Sequence, residues 1–153
     1  MKKYKQTVIP SISNTFIGKS PNEIHQEVKK NYQNNIQGRT ITNKDLGIEI
    51  YFNKTGRDET VHFARKDSLI ASASNILDVL LENAEFNNFG KPRASHQERF
   101  GAIGFLNFKS KCKIDGKLCF FRLSVMIIDL KMAKFQYAIS KNYPAKIKMV
   151  SAT

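Results

Sequence analysis

The chain has 153 residues, enough for one domain to bury an apolar core without metal or disulfide staples. Its 25 Lys and Arg against 13 Asp and Glu give a formal charge of +12. That charge indicates a polyanionic partner, nucleic acid or an anionic membrane surface, unless it only confers solubility. No run approaches the ~20 apolar residues of a membrane span, and no signal peptide is recognisable. We therefore expect a cytoplasmic protein, or one delivered to a cytoplasm, without a membrane partner.

The first 37 residues predict an extended leader and one surface helix. Residues 1–19 show no period. Ser20, Pro21 and Glu23 form the start signals of a capping box. The narrow apolar stripe that follows predicts a helix from about Pro21 to Asn35.

Short strands and one long helix are predicted between residues 38 and 84. "RTIT" and "GIEIYFN" alternate as short strands, "KTGRDE" is predicted as a turn and "TVHFAR" as a further extended piece. "DSLIASASNILDVLLENA", residues 67–84, has apolar side chains at helical spacing and Asp67 or Ser68 as a cap. This helix should carry the main core contact. Residues 85–104 have no clear period and are predicted to be a long loop.

Asp115-Gly116 lies between two alternating runs and predicts a two-residue hairpin turn. The resulting register pairs Cys112 with Cys119 on a nearly all-apolar face. We expect both thiols to be reduced, because disulfide geometry is demanding and neither cysteine has metal-ligand spacing. The opposite face carries four cations, and they are Lys109, Lys111, Lys113 and Arg122.

Helices early in the chain and antiparallel strands late in it predict an α+β fold. We expect two N-terminal-half helices packed on one face of a twisted, mainly antiparallel sheet, with the other face open and basic. A last strand, "KFQYAIS", and a basic tail over residues 141–153 complete the chain.

Several motifs between Gly38 and about Ser140 resemble a known family. They are Phe52 to Gly56 with Thr60 after it, "LLENA" at Leu80 to Ala84, "KIDGK" at Lys113 to Lys117, and an aromatic last strand at Phe135 to Tyr137. In this order they resemble the large polyvalent protein-associated domains of phages and conjugative elements, which are placed among the barnase-, EndoU-, colicin- and RelE-like ribonucleases. The resemblance implies a nuclease-type core over residues 38–140. It also implies a metal-independent RNA-cleaving toxin or effector, and it allows an acidic antitoxin or immunity protein as a partner.

Metal-independent RNA cleavage needs a base for the 2′-hydroxyl proton, an acid for the leaving oxygen and cations for the developing charge. His62 suits either proton role. If Val61 and Phe63 point into the core, strand alternation sends Thr60 and His62 together to the open face. The alternative is that His62 is a partly buried structural residue. No metal or other cofactor is expected, because the histidines and acids show no ligand spacing.

Further catalytic candidates are Arg65 ahead of the long helix, Arg122 on the open face, and Tyr137, which could stack a base or act as an acid. Each has an ordinary alternative, such as a solvated turn or a packed sheet tyrosine. The candidates for nucleic-acid binding are Lys66, Lys109, Lys111, Lys113, His96 and Arg99.

Functions of different classes stay open at this point. The first is a ribonuclease that uses the open basic face as its active cleft. The second is a non-catalytic module in which the same face, with Phe105, Phe120 and Tyr137, binds RNA or single-stranded nucleic acid by stacking and charge. A protein–protein domain within a mobile-element complex is a third interpretation.

Overall fold

The structure is a computed structural model that describes residues 3–91, 104–129, 134–137 and 148–149. Its helices are α1 (Pro21–Asn31), α2 (Lys54–Ala64), α3 (Ser68–Ser74) and α4 (Leu77–Glu82), and a π-helical turn (Tyr32–Ile36) extends α1. Its strands are β1 (Ser11–Ile12), β2 (Thr40–Thr42), β3 (Glu49–Tyr51), β4 (Glu85–Gly90), β5 (Gly104–Ile114), β6 (Lys117–Asp129), β7 (Lys134–Tyr137) and β8 (Lys148–Met149). They form one mixed sheet in the order β1-β5-β6-β7-β3-β2, with β4 also paired to β5 and β8 to β6. The α+β prediction is confirmed.

The hairpin of β5 and β6 forms the centre of the sheet, and its predicted register is confirmed. Asp115 and Gly116 both have positive φ, 51° and 79°, as a two-residue turn of this hand requires. Cys112 pairs directly with Cys119, and both are buried free thiols. Burial is the main reason that the pKa of Cys112 is raised to about 12.

The main core lies between this sheet and the helices. Leu77, Leu80 and Leu81 of α4 join one buried cluster with Phe108 and Phe121 of the hairpin. A second buried cluster holds α1, α2 and α3 together, and it consists of Phe16, Ile24, Val28, Val61, Ala64 and Ala71. The helices therefore cover the face that carries the cysteines, as predicted.

The first helix begins where the sequence predicts. Ser20 caps it, with the Ser20 side chain accepting from the Glu23 N–H and the Glu23 carboxylate accepting from the Ser20 N–H. The π-helical turn then brings Tyr32 into the core, where its hydroxyl donates to the Asn53 carbonyl at 2.8 Å. Burial raises the pKa of Tyr32 well above its ordinary value of 10.0.

The prediction of a turn and an extended piece over residues 54–65 is wrong, because α2 occupies residues 54–64. Asn53 caps the helix by accepting from the Gly56 N–H at 2.8 Å. The buried positions of α2 include Arg57, Thr60 and Val61, at the three- and four-residue spacing of a helix. The alternation of Val61 and Phe63 suggested a strand, but burial follows the helical period.

The long helix predicted over residues 67–84 is two helices, α3 and α4, with a break at Asn75 and Ile76. The Asp67 cap is confirmed, since its carboxylate accepts from two N–H groups of the first turn. Ser72 and Ser74 donate their hydroxyls back to carbonyls four residues earlier. Such side-chain bonds compete with the helical ladder, which accounts for the early end of α3.

The predicted loop over residues 85–104 begins instead as strand β4. This strand pairs antiparallel with β5, and an irregularity between Phe86 and Asn88 shifts the register by one residue. A bulge of this kind interrupts the alternating pattern, which explains why no strand period is visible in the sequence. The rest of the predicted loop up to β5, residues 92–103, lies outside the described residues.

The N-terminal leader is ordered along the edge of β5. β1 pairs in parallel with residues 113–114, and β4 pairs with residues 105–109. The side-chain amide of Gln6 fills the gap between them. It accepts from the Lys111 N–H at 3.0 Å and donates to the Lys111 carbonyl at 2.8 Å. One side chain thus satisfies both backbone groups of an edge position.

Candidate functional site

The four predicted cations of the hairpin lie on the side of the sheet opposite the helices. We call them the basic face: Lys109, Lys111, Lys113 and Arg122. All but Lys111 are exposed, and Lys111 is half-buried. Lys109 stands directly across from Arg122, and Lys111 stands across from Phe120 with its Nζ 6.0 Å from the ring centroid. Charge and one accessible aromatic ring are therefore adjacent on this surface.

The basic face ends where buried polar groups cross the sheet. Asn107 donates to Asn88 at 2.9 Å on one side and accepts from the Ser124 hydroxyl at 2.9 Å on the other. Further from the turn than these hydrogen bonds, Phe105 and Met126 are almost fully buried. The sequence suggested Phe105 as a ring on which a base could stack. Its burial makes that role impossible. Among the described residues on this side of β5 and β6, the exposed ones therefore lie in the half nearest the turn.

A groove of about 420 Å³, the sheet groove, lies beside the basic face. Its lining residues are Lys5, Gln6, Glu85, Lys109, Ser110, Lys111 and Phe120. The leader adds the cation of Lys5 beside the basic face, and no sequence pattern predicts this. Glu85 contributes a carboxylate, whose Oε2 accepts from the Gln6 backbone N–H at 3.0 Å.

His62 and Thr60 do not lie on the basic face. Both belong to α2, so the strand alternation that placed them there does not apply. Thr60 is completely buried, and its hydroxyl donates to the Gly56 carbonyl at 2.6 Å. His62 is exposed on the helical side of the sheet. The predicted placement of Thr60 and His62 on the open face is wrong for this geometric reason.

His62 and Arg65 do meet other polar groups in a second groove, the helical groove, of about 260 Å³ between α1 and α2. It is lined by His25, Lys29, Asp58, Val61, His62 and Arg65. Asp58 is neutralised by an ion pair with Arg57 at 3.0 Å, so Lys29 and Arg65 leave the groove cationic. His25 is not among the site residues predicted from the sequence. The capping box fixes the phase of α1, but only the packing of α1 on α2 brings His25 to His62.

The structure of the helical groove leaves one imidazole nitrogen with unused hydrogen-bonding capacity. His25 Nδ1 is buried and makes no hydrogen bond within the described part of the chain. Arg65 is held only loosely, with one guanidinium nitrogen 3.3 Å from Asn22 Oδ1. Arg65 can thus turn to a ligand in the helical groove without breaking a strong contact.

The other predicted site residues are separate from both grooves or cannot be placed. Lys66 is exposed in the turn between α2 and α3. It is not among the described residues that line the helical groove. Tyr137 stands opposite Val125 in the register of β6 and β7. His96 and Arg99 lie outside the described residues.

The part of the chain that the structure describes holds neither a metal-binding cluster nor a membrane-spanning helix. In residues 3–91, 104–129 and the two short strands after them, no group of three or more His, Cys, Asp or Glu side chains could hold a metal ion. None of the helices in the same part of the chain is long and apolar enough to cross a membrane.

Comparison with known proteins identifies the class of protein. Residues 19–126 match the family described as large polyvalent protein-associated domain 3. The match covers most of the chain, from the first helix into β6, and the chain therefore belongs to this family. No curated protein and no solved structure matches it.

Proposed function

We propose that this domain binds single-stranded nucleic acid through the basic face. The observation that carries the proposal is the sorting of the hairpin side chains, which places four cations together near the turn, three of them exposed and Lys111 half-buried. Lys5 of the leader adds a fifth cation at the sheet groove. Cations that contact phosphates supply most of the affinity of such interfaces.

The geometry favours a single strand over a duplex. Lys109, Lys111 and Lys113 are two residues apart along one strand, so they follow a line with steps of about 6.7 Å. Phe120 lies beside this line, half-buried, with one side accessible in the sheet groove. Unpaired bases can stack on such a ring while the backbone follows the lysines. A duplex offers no free base face to Phe120.

The test compares variants that remove equal charge from opposite sides of the molecule. Lys109→Gln with Lys111→Gln should weaken binding of a fluorescent oligouridine of about twelve nucleotides at least 10-fold, measured by anisotropy at low salt. Lys30→Gln with Lys54→Gln, two exposed lysines of α1 and α2, removes the same charge and should change affinity less than about 3-fold. Equal losses in both pairs would contradict the proposal, as would the absence of binding by the unaltered protein.

A second function, RNA cleavage without a metal ion, is favoured by the helical groove. Two imidazoles, His25 and His62, line this groove together with the cations of Lys29 and Arg65. This is the set of groups that the reaction needs, an acid, a base and charge stabilisation. This proposal includes membership of the nuclease superfamily that the sequence resemblance implies. It also includes an origin in a phage or other mobile element.

The proposed reaction is an internal transfer at one phosphodiester. One imidazole takes the proton of the 2′-hydroxyl, and the 2′ oxygen forms a bond to phosphorus. The bond from phosphorus to the 5′ oxygen breaks, and the second imidazole gives its proton to that oxygen. The products are a 2′,3′-cyclic phosphate and a 5′-hydroxyl, while Lys29 and Arg65 stabilise the charge on the phosphoryl oxygens.

Cleavage is tested with a labelled oligoribonucleotide in the presence of a chelator. His62→Ala and His25→Ala should each lower the rate about 10²–10⁴-fold while leaving the urea unfolding midpoint nearly unchanged. Lys30→Ala, on the exposed side of α1, is the control that should cleave normally. An inert unaltered protein, or a His62→Ala variant that cleaves at the normal rate, would leave only the binding function.

A further inference from the structure

Glu85 is an unexpected residue in a surface that attracts phosphate. It begins β4 and stands directly across from Lys109, which in turn stands across from Arg122, so the three form one row over three strands. Among the described residues that line the sheet groove, Glu85 is the one acid beside three lysines. A carboxylate in this position repels phosphate oxygens and needs a different reason to be there.

The carboxylate of Glu85 is fixed by the leader rather than by the lysines. Its Oε2 accepts from the Gln6 N–H, and within the described residues neither Lys5 nor Lys109 forms an ion pair with it. The Gln6 side chain is itself anchored by the backbone of Lys111 and by the Val8 carbonyl. Glu85 is therefore a preorganised acceptor whose second oxygen is available to a donor in the groove.

We propose that the sheet groove is a ribonucleotide subsite in which Glu85 accepts a hydrogen bond from a ribose 2′-hydroxyl. This inference rests on the proposed binding function and names its substrate class, RNA rather than DNA. A ribose 2′-hydroxyl can donate a hydrogen bond to a carboxylate oxygen. DNA lacks this hydroxyl. Lys109, directly across from Glu85, and Lys111, two residues further along β5, would contact the flanking phosphates.

The positions of the groups favour the sugar over the base as the partner of Glu85. Glu85 and Phe120 stand on strands two places apart, β4 and β6, which separates them by about 10 Å across the sheet. A base stacked on Phe120 is thus too far away to present its edge to Glu85. The sugar-phosphate backbone, which follows the lysines of β5 between them, is within reach.

The test is a ratio of affinities, which cancels effects on charge and folding. Oligouridine and oligodeoxyuridine of about twelve nucleotides carry the same base and the same charge and differ in the 2′-hydroxyl. The unaltered protein should bind the RNA about 10-fold more tightly than the DNA, as a hydrogen bond to a charged group allows. Glu85→Ala should bring this ratio close to one by weakening RNA binding while DNA binding stays equal or becomes tighter.

Two further variants complete the design. Glu85→Gln keeps an acceptor oxygen and should retain part of the preference, and Glu49→Ala removes an exposed acid of β3 and should leave the ratio unchanged. Equal binding of RNA and DNA by the unaltered protein would overturn the inference but not the binding function. An RNA-to-DNA ratio that stays intact in Glu85→Ala would contradict a contact between Glu85 and the 2′-hydroxyl. Failure to bind either oligonucleotide would overturn the binding function itself.

Discussion

Replacing Gln6 by Ala tests how the leader is held on the sheet. The Gln6 side chain is 6% exposed and serves both backbone groups of Lys111, with a further bond to the Val8 carbonyl at 2.9 Å. An unsatisfied buried polar group costs about 1–3 kcal/mol. Two groups of Lys111 lose their partner, and water reaches part of this half-buried position, so we expect the free energy of unfolding to fall by about 2–4 kcal/mol.

The assay is urea unfolding of Gln6→Ala with Thr7→Ala, its exposed neighbour, as the control. Gln6→Ala should lower the midpoint at an unchanged slope, and Thr7→Ala should stay within about 0.5 kcal/mol of the unaltered protein. Hydrogen exchange gives a local measurement, since the Lys111 amide should lose protection in Gln6→Ala. A loss of less than about 0.5 kcal/mol, with the Lys111 amide still protected, would refute the bridging role of Gln6.

Three other predictions concern stability and reactivity. Hydrogen bonds from the backbone and then the side chain of Ser20 lower the pKa of Glu23 below its ordinary value of 4.5. The Glu23 carboxylate therefore stabilises the fold above that pH, and the unaltered protein should lose stability relative to Glu23→Gln as the pH falls below 4.5 in urea titrations. Because burial raises the pKa of Cys112, alkylation of the native protein near pH 8 should be about 10³-fold slower than in denaturing urea, and a fast native reaction would contradict the packing. Gly116→Ala should cost about 1 kcal/mol or more in urea unfolding, since φ is +79° there, and a neutral effect would refute the turn geometry.

Local signals in the sequence predicted the parts of the fold that local chemistry determines. The Asp115-Gly116 turn fixes the hairpin register, and with it the cysteine pair and the basic face, because a slip of one residue would exchange the two faces. The capping box at Ser20 fixes the start of α1 for the same kind of reason. The Asp67 cap is correct as well, although the helix after it ends early.

Predictions failed where two local patterns compete or where distant segments meet. Around Val61 an alternating pattern and a helical one overlap, and the Asn53 cap with burial at Arg57 and Thr60 decides for the helix. The helical groove depends on how α1 packs against α2, which no short pattern encodes. The Gln6 bridge joins residues 105 positions apart, so it is visible only in the folded chain.

The salt dependence of oligonucleotide binding tests the role of the basic face most directly. Four phosphate contacts from Lys109, Lys111, Lys113 and Arg122, at about 0.7 each on a single strand, predict that log K falls with log salt at a slope near −3. Lys109→Gln with Lys111→Gln should make the slope shallower by about 1.4, because two contacts are lost. Lys30→Gln with Lys54→Gln should keep it near −3. A slope that is the same in all three proteins, or close to zero in the unaltered one, would contradict binding through this face.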